Sequence, residues 1–274
     1  MFKKLVLITV VGLSVGTAFS GCSSSSKEDM LGDVNSLYNQ GLDSLMAQEF
    51  AASVHTFEEL ERQHPFSGWA TRAQMMMAYA QFRQQKYGES IATIDRFIRL
   101  HPGHENLPYM YYLRAMNHYV RISDVKRDQS QTQAARDGFE SVIQRFPESR
   151  YASNARLKLT LTKDHMAGKE MSVGRFYQEK GKHLAAMNRF KRVVEAYQTT
   201  SQMPEALYRL AETYFALGLD NQAQKSAAVL GHNYPDSNWY THAYGLLNKE
   251  GYLENGVWKE DKGGILDKLK SAFN

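Results

Sequence analysis

The chain has 274 residues, with 33 basic against 29 acidic side chains and a formal charge of +4. That near balance excludes a dedicated nucleic-acid binder, which concentrates basic charge on one face. A single cysteine excludes an intrachain disulfide, and 12% aromatic residues with only six prolines favour long periodic helices over turn-rich strands.

Met1-Phe2-Lys3-Lys4 is a short basic start, and Leu5 to Phe19 is an apolar run without charge. The run is shorter than the ~20 residues of a membrane span. Two small residues, Ser20 and Gly21, precede Cys22, and Ser23 to Ser26 open a polar stretch. This is the layout of a secretory signal peptide. Its end resembles the lipobox of bacterial lipoproteins, with Phe19 where Leu is usual. The bland alternative is an ordinary cleaved leader followed by an unpaired thiol. The resemblance implies that residues 1–21 are removed and that Cys22 carries lipid on its thiol and on the new amino terminus. Three acyl chains exceed the two signals that stable anchoring needs. Ser23, rather than Asp, follows the cysteine, which favours the outer membrane with the body in the periplasm. Loss of Lys3 and Lys4 takes the formal charge from +4 to +2. Residues 22–33 read as a Ser-rich tether.

Residues 34–248 are organised by a repeat. Pro65, Pro102, Pro147, Gln198 and Pro235 mark its ends. Twelve residues before each stand Ser53, Ser90, Ala135, Ala186 and Ala223, all small. Eight before stand Phe57, Ile94, Phe139, Phe190 and Ala227, and five before stand Leu60, Phe97, Val142, Val193 and Leu230. Small residues admit a second helix closely, apolar residues three and four positions on extend that face, and proline ends the helix. An amphipathic helix lies upstream of each: 38–48, 73–85, 109–121, 172–180 and 204–217. Gly41, Ala78, Ala115, Gly174 and Ala211 are their small positions. Four of these fall twelve residues before their partner, and Ala115 falls twenty before Ala135.

The pattern resembles the tetratricopeptide repeat, a helix-turn-helix unit of ~34 residues. Spacings of 37, 45, 51 and 37 leave an excess. A polar insertion at 123–131 and an additional or extended helix at 150–168 account for it. Residues 237–247 predict a capping helix, which a solenoid requires. The fold class is therefore all-α, a solenoid of about five repeats with extra capping helices. The tail, residues 249–274, contains a segment at 265–273 that reads as a short amphipathic helix.

Candidate chemistry is sparse. His101 and His104 form the best histidine cluster, but they flank an interhelical turn with no cysteine partner, so no metal is assigned. No nucleophile elbow, zinc-protease motif or phosphate loop occurs, so neither an enzyme nor a cofactor is expected. Met75-Met76-Met77 and the Tyr109, Tyr111, Tyr112 group read first as core, then as a peptide-binding surface.

Two stretches carry a closer resemblance, Arg62-Gln63-His64-Pro65-Phe66 and Ile94 to Pro102 followed by Tyr109 to Arg114; Tyr177, Asn188-Arg189 and the polar insertion in the third repeat also fit. With the lipobox and the repeats, they make the chain similar to the BamD family, over roughly residues 37–234. That family, also described as a competence-related lipoprotein, is the lipoprotein subunit of the complex that assembles β-barrels in the outer membrane. The resemblance implies two partners: unfolded barrel substrates in a groove of the amino-terminal repeats, and the central barrel subunit, with the rest of its complex, on the later ones. Substrate signals ending in an aromatic residue and a carboxylate would meet Arg62, Arg96 and Arg99 as charge partners and Phe66, Tyr79 and Tyr112 as aromatic walls. Core packing is the bland reading of those aromatics. Asn188 and Arg189 are the docking candidates, Arg189 projecting beside the packing residue Phe190. The alternative is a scaffold linking the outer membrane to peptidoglycan or to the division machinery. Such scaffolds commonly carry an amino-terminal coiled coil, for which the short tether leaves no room. An envelope hydrolase with a helical accessory region lacks a second domain here.

Overall fold

The computed structural model describes residues 27–249 and two short strands beyond them. Residues 1–21, Cys22 and the 265–273 segment lie outside the described residues. Five helical hairpins follow in order: α1 (Lys27–Met46) with α2 (Phe50–Gln63), α3 (Gly68–Arg83) with α4 (Tyr87–Leu100), α5 (Leu107–Tyr119) with α6 (Ser130–Arg145), α7 (Arg150–Glu179) with α8 (His183–Ala196), and α9 (Met203–Ala216) with α10 (Asp220–Asn233). Helix α11 (Asn238–Lys249) covers the last hairpin, and β1 (Leu253–Glu254) pairs antiparallel with β2 (Val257–Trp258).

The punctuation read from the sequence has a local cause. The residues that end the second helices, His64, His101, Phe146, Tyr197 and Tyr234, all have φ near −130° and ψ of 39–58°. Four of them precede proline, whose ring disfavours helical geometry in the residue before it. Tyr197 adopts the same conformation ahead of Gln198, so the turn survives without the ring. Two residues after three of the prolines, Ser67, Ser149 and Ser237 accept hydrogen bonds from the backbone N–H of Ala70, Ala152 and Tyr240. Each starts the next helix with a cap worth ~1 kcal/mol.

All ten small positions are buried. In the first two repeats the small residue of the second helix also bonds: Ser53 Oγ donates to the Gly41 carbonyl and Ser90 Oγ to that of Ala78, both at 2.9 Å. Gly41 and Gly174 make room for the rings of Phe57 and Phe190, whose Cε1 atoms lie 2.5 Å from where a Cβ would stand. The third repeat adds a contact that the spacing did not announce: Ala115 packs against Gly138, where a Cβ would lie 2.8 Å from that of Ala115, three residues after the fully buried Ala135.

Two boundaries also differ. Helix α1 begins at Lys27, inside the segment read as tether. The extra helix before the fourth repeat is continuous with its first helix, giving the 30-residue α7. The polar insertion braces it: Lys169 Nζ donates to the Lys126 carbonyl at 2.9 Å, and Val125 packs 3.6 Å from the Cβ site of Gly168.

The first helices converge. Pairs α1–α3, α3–α5, α5–α7 and α9–α11 pack directly, whereas no two second helices pack as closely. Helices α7 and α9 are joined by side chains, Arg175 to Glu205 at 2.9 Å and Gln178 to Glu212 at 2.7 Å. The first helices therefore line the inner side of the solenoid and the second helices its outer side. Among the described residues no helix is long and apolar enough to cross a membrane.

Candidate functional site

The inner side changes character along its length. On α3 it presents Tyr79 and Arg83; on α5 it presents Tyr109, Tyr112, Met116 and Tyr119; Tyr151 joins from the start of α7. The rings of Tyr109 and Tyr112 each lie 5.5 Å from that of Tyr151, and Tyr112 and Tyr119 rest on the buried Phe139 at 6.0 and 5.8 Å. Cations sit on this aromatic surface: Arg83 over Phe50 and Tyr79, Arg150 over Tyr151, and Lys158 over Tyr119 at 4.6 Å.

Tyr109 and Tyr112 are held neutral. Burial, and then neighbouring Tyr151 and Tyr79, push the Tyr109 phenol well above its usual value of 10. Burial, then Tyr119 and Tyr151, also raise that of Tyr112. Arg83 Nη1 donates to the Tyr79 hydroxyl at 2.9 Å and Arg150 Nη2 to that of Tyr151 at 2.6 Å. The hydroxyls of Tyr109, Tyr112 and Tyr119 make no hydrogen bond among the described residues. They are free to donate to an anionic ligand.

The six residues expected to bind peptide are not brought together. Tyr79 and Tyr112 lie on the inner face, half-buried, each packed against the core by one side. Arg62, Arg96 and Arg99 stand on the second helices α2 and α4 instead. Arg62 is paired with Glu59, and Arg96 Nη2 donates at 2.9 Å to Glu61, which also accepts from Gln74 at 2.7 Å. Arg99 is exposed and has no partner among the described residues. Phe66 projects from the α2–α3 turn, completely exposed. The cations that do flank the tyrosines are Arg83, Arg150 and Lys158, which the sequence reading missed. Arg83 had a signal: it falls five residues after the small position Ala78, just as Tyr112, Met116 and Tyr119 fall three before and one and four after Ala115.

Arg189 differs from expectation as well. Its Nη1 donates at 3.0 Å to Glu170 on α7, and Arg192 lies 3.2 Å from the other oxygen of that carboxylate. Glu170 is buried, so the chain itself supplies the carboxylate foreseen on a partner. Asn188 is exposed between two clefts. One, of about 550 Å³, is lined by Lys182, Leu184, Ala185 and Leu217; the other, of about 360 Å³, by Tyr177, Arg189 and Arg192. A third, of about 560 Å³, lies across α7 around Phe176 and Lys126. The rings of His101 and His104 pack on Phe97 at 5.0 and 5.2 Å, and among the described residues no three candidate ligands gather around a metal position.

Residues 30–230 match the family described as YfiO, outer membrane lipoprotein. The chain belongs to this family. It is 42% identical to the outer membrane protein assembly factor BamD of Caulobacter vibrioides, over 99% of this chain and 92% of that one. Identity to the BamD of Rickettsia prowazekii is also 42%, over 89% and 96% of the two chains, and to that of Neisseria meningitidis 33%, over 88% and 95%. Among solved structures, the chain is similar to the tetratricopeptide domain of P58(IPK), at 12% identity over 90% of this chain and 69% of that one, with a TM-score of 0.41. The fold is an all-α tetratricopeptide solenoid, the family is not one of enzymes, and membership associates the chain with the outer membrane.

Proposed function

We propose that this protein is a non-catalytic adaptor in the assembly of β-barrel proteins into the outer membrane, held there by lipid on Cys22 with its body in the periplasm. Its first three repeats receive unfolded barrel segments on the tyrosine face. Its later repeats dock on the central barrel subunit and bring the adaptor into that complex. The names of its relatives support the role in assembly. The observation that carries the substrate reading is the row Tyr79, Tyr109, Tyr112, Tyr119 and Tyr151 between cations. An extended peptide ending in an aromatic residue finds rings to stack on and neutral phenols to hydrogen-bond its carboxylate. The solenoid needs no ordering to receive it, which limits the entropic cost.

Docking is assigned to the clefts on either side of Asn188. Arg189 and Arg192 share one carboxylate, so their site keeps one net positive charge for a partner's acid. Leu184, 63% exposed, supplies the apolar part of the adjoining cleft.

The test is binding of a fluorescent peptide ending in phenylalanine. A hydrogen bond to a charged group contributes ~1.5–3 kcal/mol, so Tyr109→Phe with Tyr112→Phe lowers affinity at least tenfold. Amidation of the peptide carboxylate does the same to the parent protein. Asn188→Lys leaves peptide affinity unchanged and reduces co-purification of the central subunit. Equal affinity of the acid and amide peptides refutes the substrate reading.

A further inference from the structure

Arg62, Arg99 and Phe66 remain unexplained by the inner face, and the fold shows what they share. Helices of one hairpin run antiparallel, so every second helix ends beside the start of its first helix. His64 Nε2, at the end of α2, lies 3.5 Å from Asp33 near the start of α1. The α2–α3, α4–α5 and α6–α7 turns therefore form one edge of the solenoid, and α1 begins on that edge. Met46, at the far end of α1, stands on the opposite edge, ~30 Å away for a 20-residue helix.

This edge has a composition of its own. Phe66 is completely exposed and Leu100 is 60% exposed, each at the tip of a turn or helix end. Around them Arg62, Arg99, Arg145 and Arg150 are exposed. Arg145 and Arg150 hold their guanidinium groups over Tyr111 and Tyr151 at 5.4 and 4.8 Å, with no carboxylate partner among the described residues. Glu105 and Glu148 lie on the same turns, so the positive excess is modest. It suits a contact that orients the body and leaves attachment to the anchor.

The chain outside the described residues identifies the occupant. Cys22 precedes Lys27 by five positions, a reach of at most ~18 Å. We propose that this edge lies on the phospholipid surface, with Phe66 and Leu100 in the interfacial layer and the arginines on phosphodiester headgroups. The inner face is then turned at a fixed angle to the membrane. This inference rests on the reading of Cys22 as lipid-bearing. An aromatic ring suits the headgroup region, and each arginine near an anionic surface raises the population of the docked orientation about fivefold, equivalent to ~1 kcal/mol.

The experiment uses the acylated full chain in vesicles of phosphatidylethanolamine and phosphatidylglycerol. Cys22 is the only native cysteine, so a second one takes a bimane label specifically once the first is acylated. Gly68→Cys places the label beside Phe66, where nothing lies within 4 Å of a Cβ, and Met46→Cys places it on the opposite edge. The expected result is quenching of the first label by lipid-borne nitroxide with severalfold protection from iodide, and the reverse for the second. Phe66→Ser with Leu100→Ser, or Arg99→Glu with Arg150→Glu, removes that protection while the protein stays bound to the vesicles. Flotation with vesicles while both labels are equally open to iodide overturns the inference and leaves the anchor standing. Failure to float, with an unmodified Cys22 by mass spectrometry, refutes the anchor itself. Protection in native outer membranes but not in pure lipid vesicles makes the edge a protein interface and also overturns it.

Discussion

Alanine in place of Gly174 adds a single methyl group, and the surroundings set its cost. The new Cβ would stand 2.5 Å from Phe190 Cε1, 2.8 Å from Cδ1 and 2.9 Å from Cζ. Carbon atoms prefer ~3.5–4.0 Å, so the ring must retreat by about 1 Å. Phe190 is fully buried in a cluster with Met171, Ala186 and Val193, all likewise fully buried, and has no free space to enter. Overpacking of this kind costs ~1–3 kcal/mol, against a gain of ~1 kcal/mol from replacing glycine in a helix interior. The net expectation is a loss of ~0–2 kcal/mol. Gly245 in α11 is the control, since nothing lies within 4 Å of its Cβ position. There the same substitution stabilises by ~0.5–1 kcal/mol. Urea unfolding followed by circular dichroism measures both. The pair Gly174→Ala with Phe190→Leu adds a coupling test, because leucine vacates the ring's space and the two changes are then less costly together than their sum. An unfolding midpoint for Gly174→Ala at or above that of Gly245→Ala would refute the close-packing argument for the repeat.

Three further outcomes follow from the same geometry. Glu170→Leu strands Arg189 and Arg192 beside an apolar side chain and should lower stability by ~1–3 kcal/mol, discounted from the cost of a fully buried pair because both arginines are about half exposed; Arg192→Leu, which leaves Arg189 on the carboxylate, should cost less in the same urea titration. Tyr109 and Tyr112 ionise later in the folded state than in the unfolded one, so their contribution to stability is intact below pH 10 and is lost as pH rises above it; pH-dependent unfolding, with phenolate absorbance as the monitor, should show Tyr109→Phe flattening the alkaline loss. Gln48 and Gln85 each adopt φ of +63°, in the turns where later repeats use Gly181 and Gly218; glycine at either glutamine should raise stability by ~0.5–1 kcal/mol, as relief of left-handed strain outweighs the added freedom of the unfolded chain.

The repeat was legible because its signals are local. Proline, a small residue and two apolar residues at fixed offsets each report on their own helix, and Phe57, Ile94, Phe139 and Phe190 are all fully buried as those offsets require. The features the sequence hid depend on contacts between elements. The contact of Ala115 with Gly138 joins α5 to α6 across the polar insertion, so no fixed offset announces it. The junction at 168–172 contains no proline, so α7 runs through it despite Gly168, and Lys169 and Gly168 reveal their purpose only when the insertion folds against them. Arg189 reads as a free cation because Glu170 lies 19 residues earlier on a different helix. The expectation of Arg62, Arg96 and Arg99 rather than Arg83 had the same cause. Which helix of a hairpin faces inward is set by how successive hairpins stack.

That stacking also explains how one solenoid can serve two kinds of partner. In the fourth and fifth repeats the inner face satisfies itself: Arg175 and Arg209 meet Glu205, and Arg209 and Gln178 meet Glu212. A ligand entering there would have to displace charged hydrogen bonds before making its own, a cost of ~1.5–3 kcal/mol for each. Over α3 and α5 the phenols of Tyr109, Tyr112 and Tyr119 have no internal partner to give up. On the proposed reading, peptide capture is thereby confined to the first three repeats. The proposed partner of the later repeats is directed instead to the clefts around Asn188, where α8 leaves Leu184 exposed. Because α7 passes without interruption from the tyrosine face to those clefts, the two surfaces share one rigid element of 30 residues. Their mutual orientation is fixed by its backbone hydrogen bonds rather than by a linker.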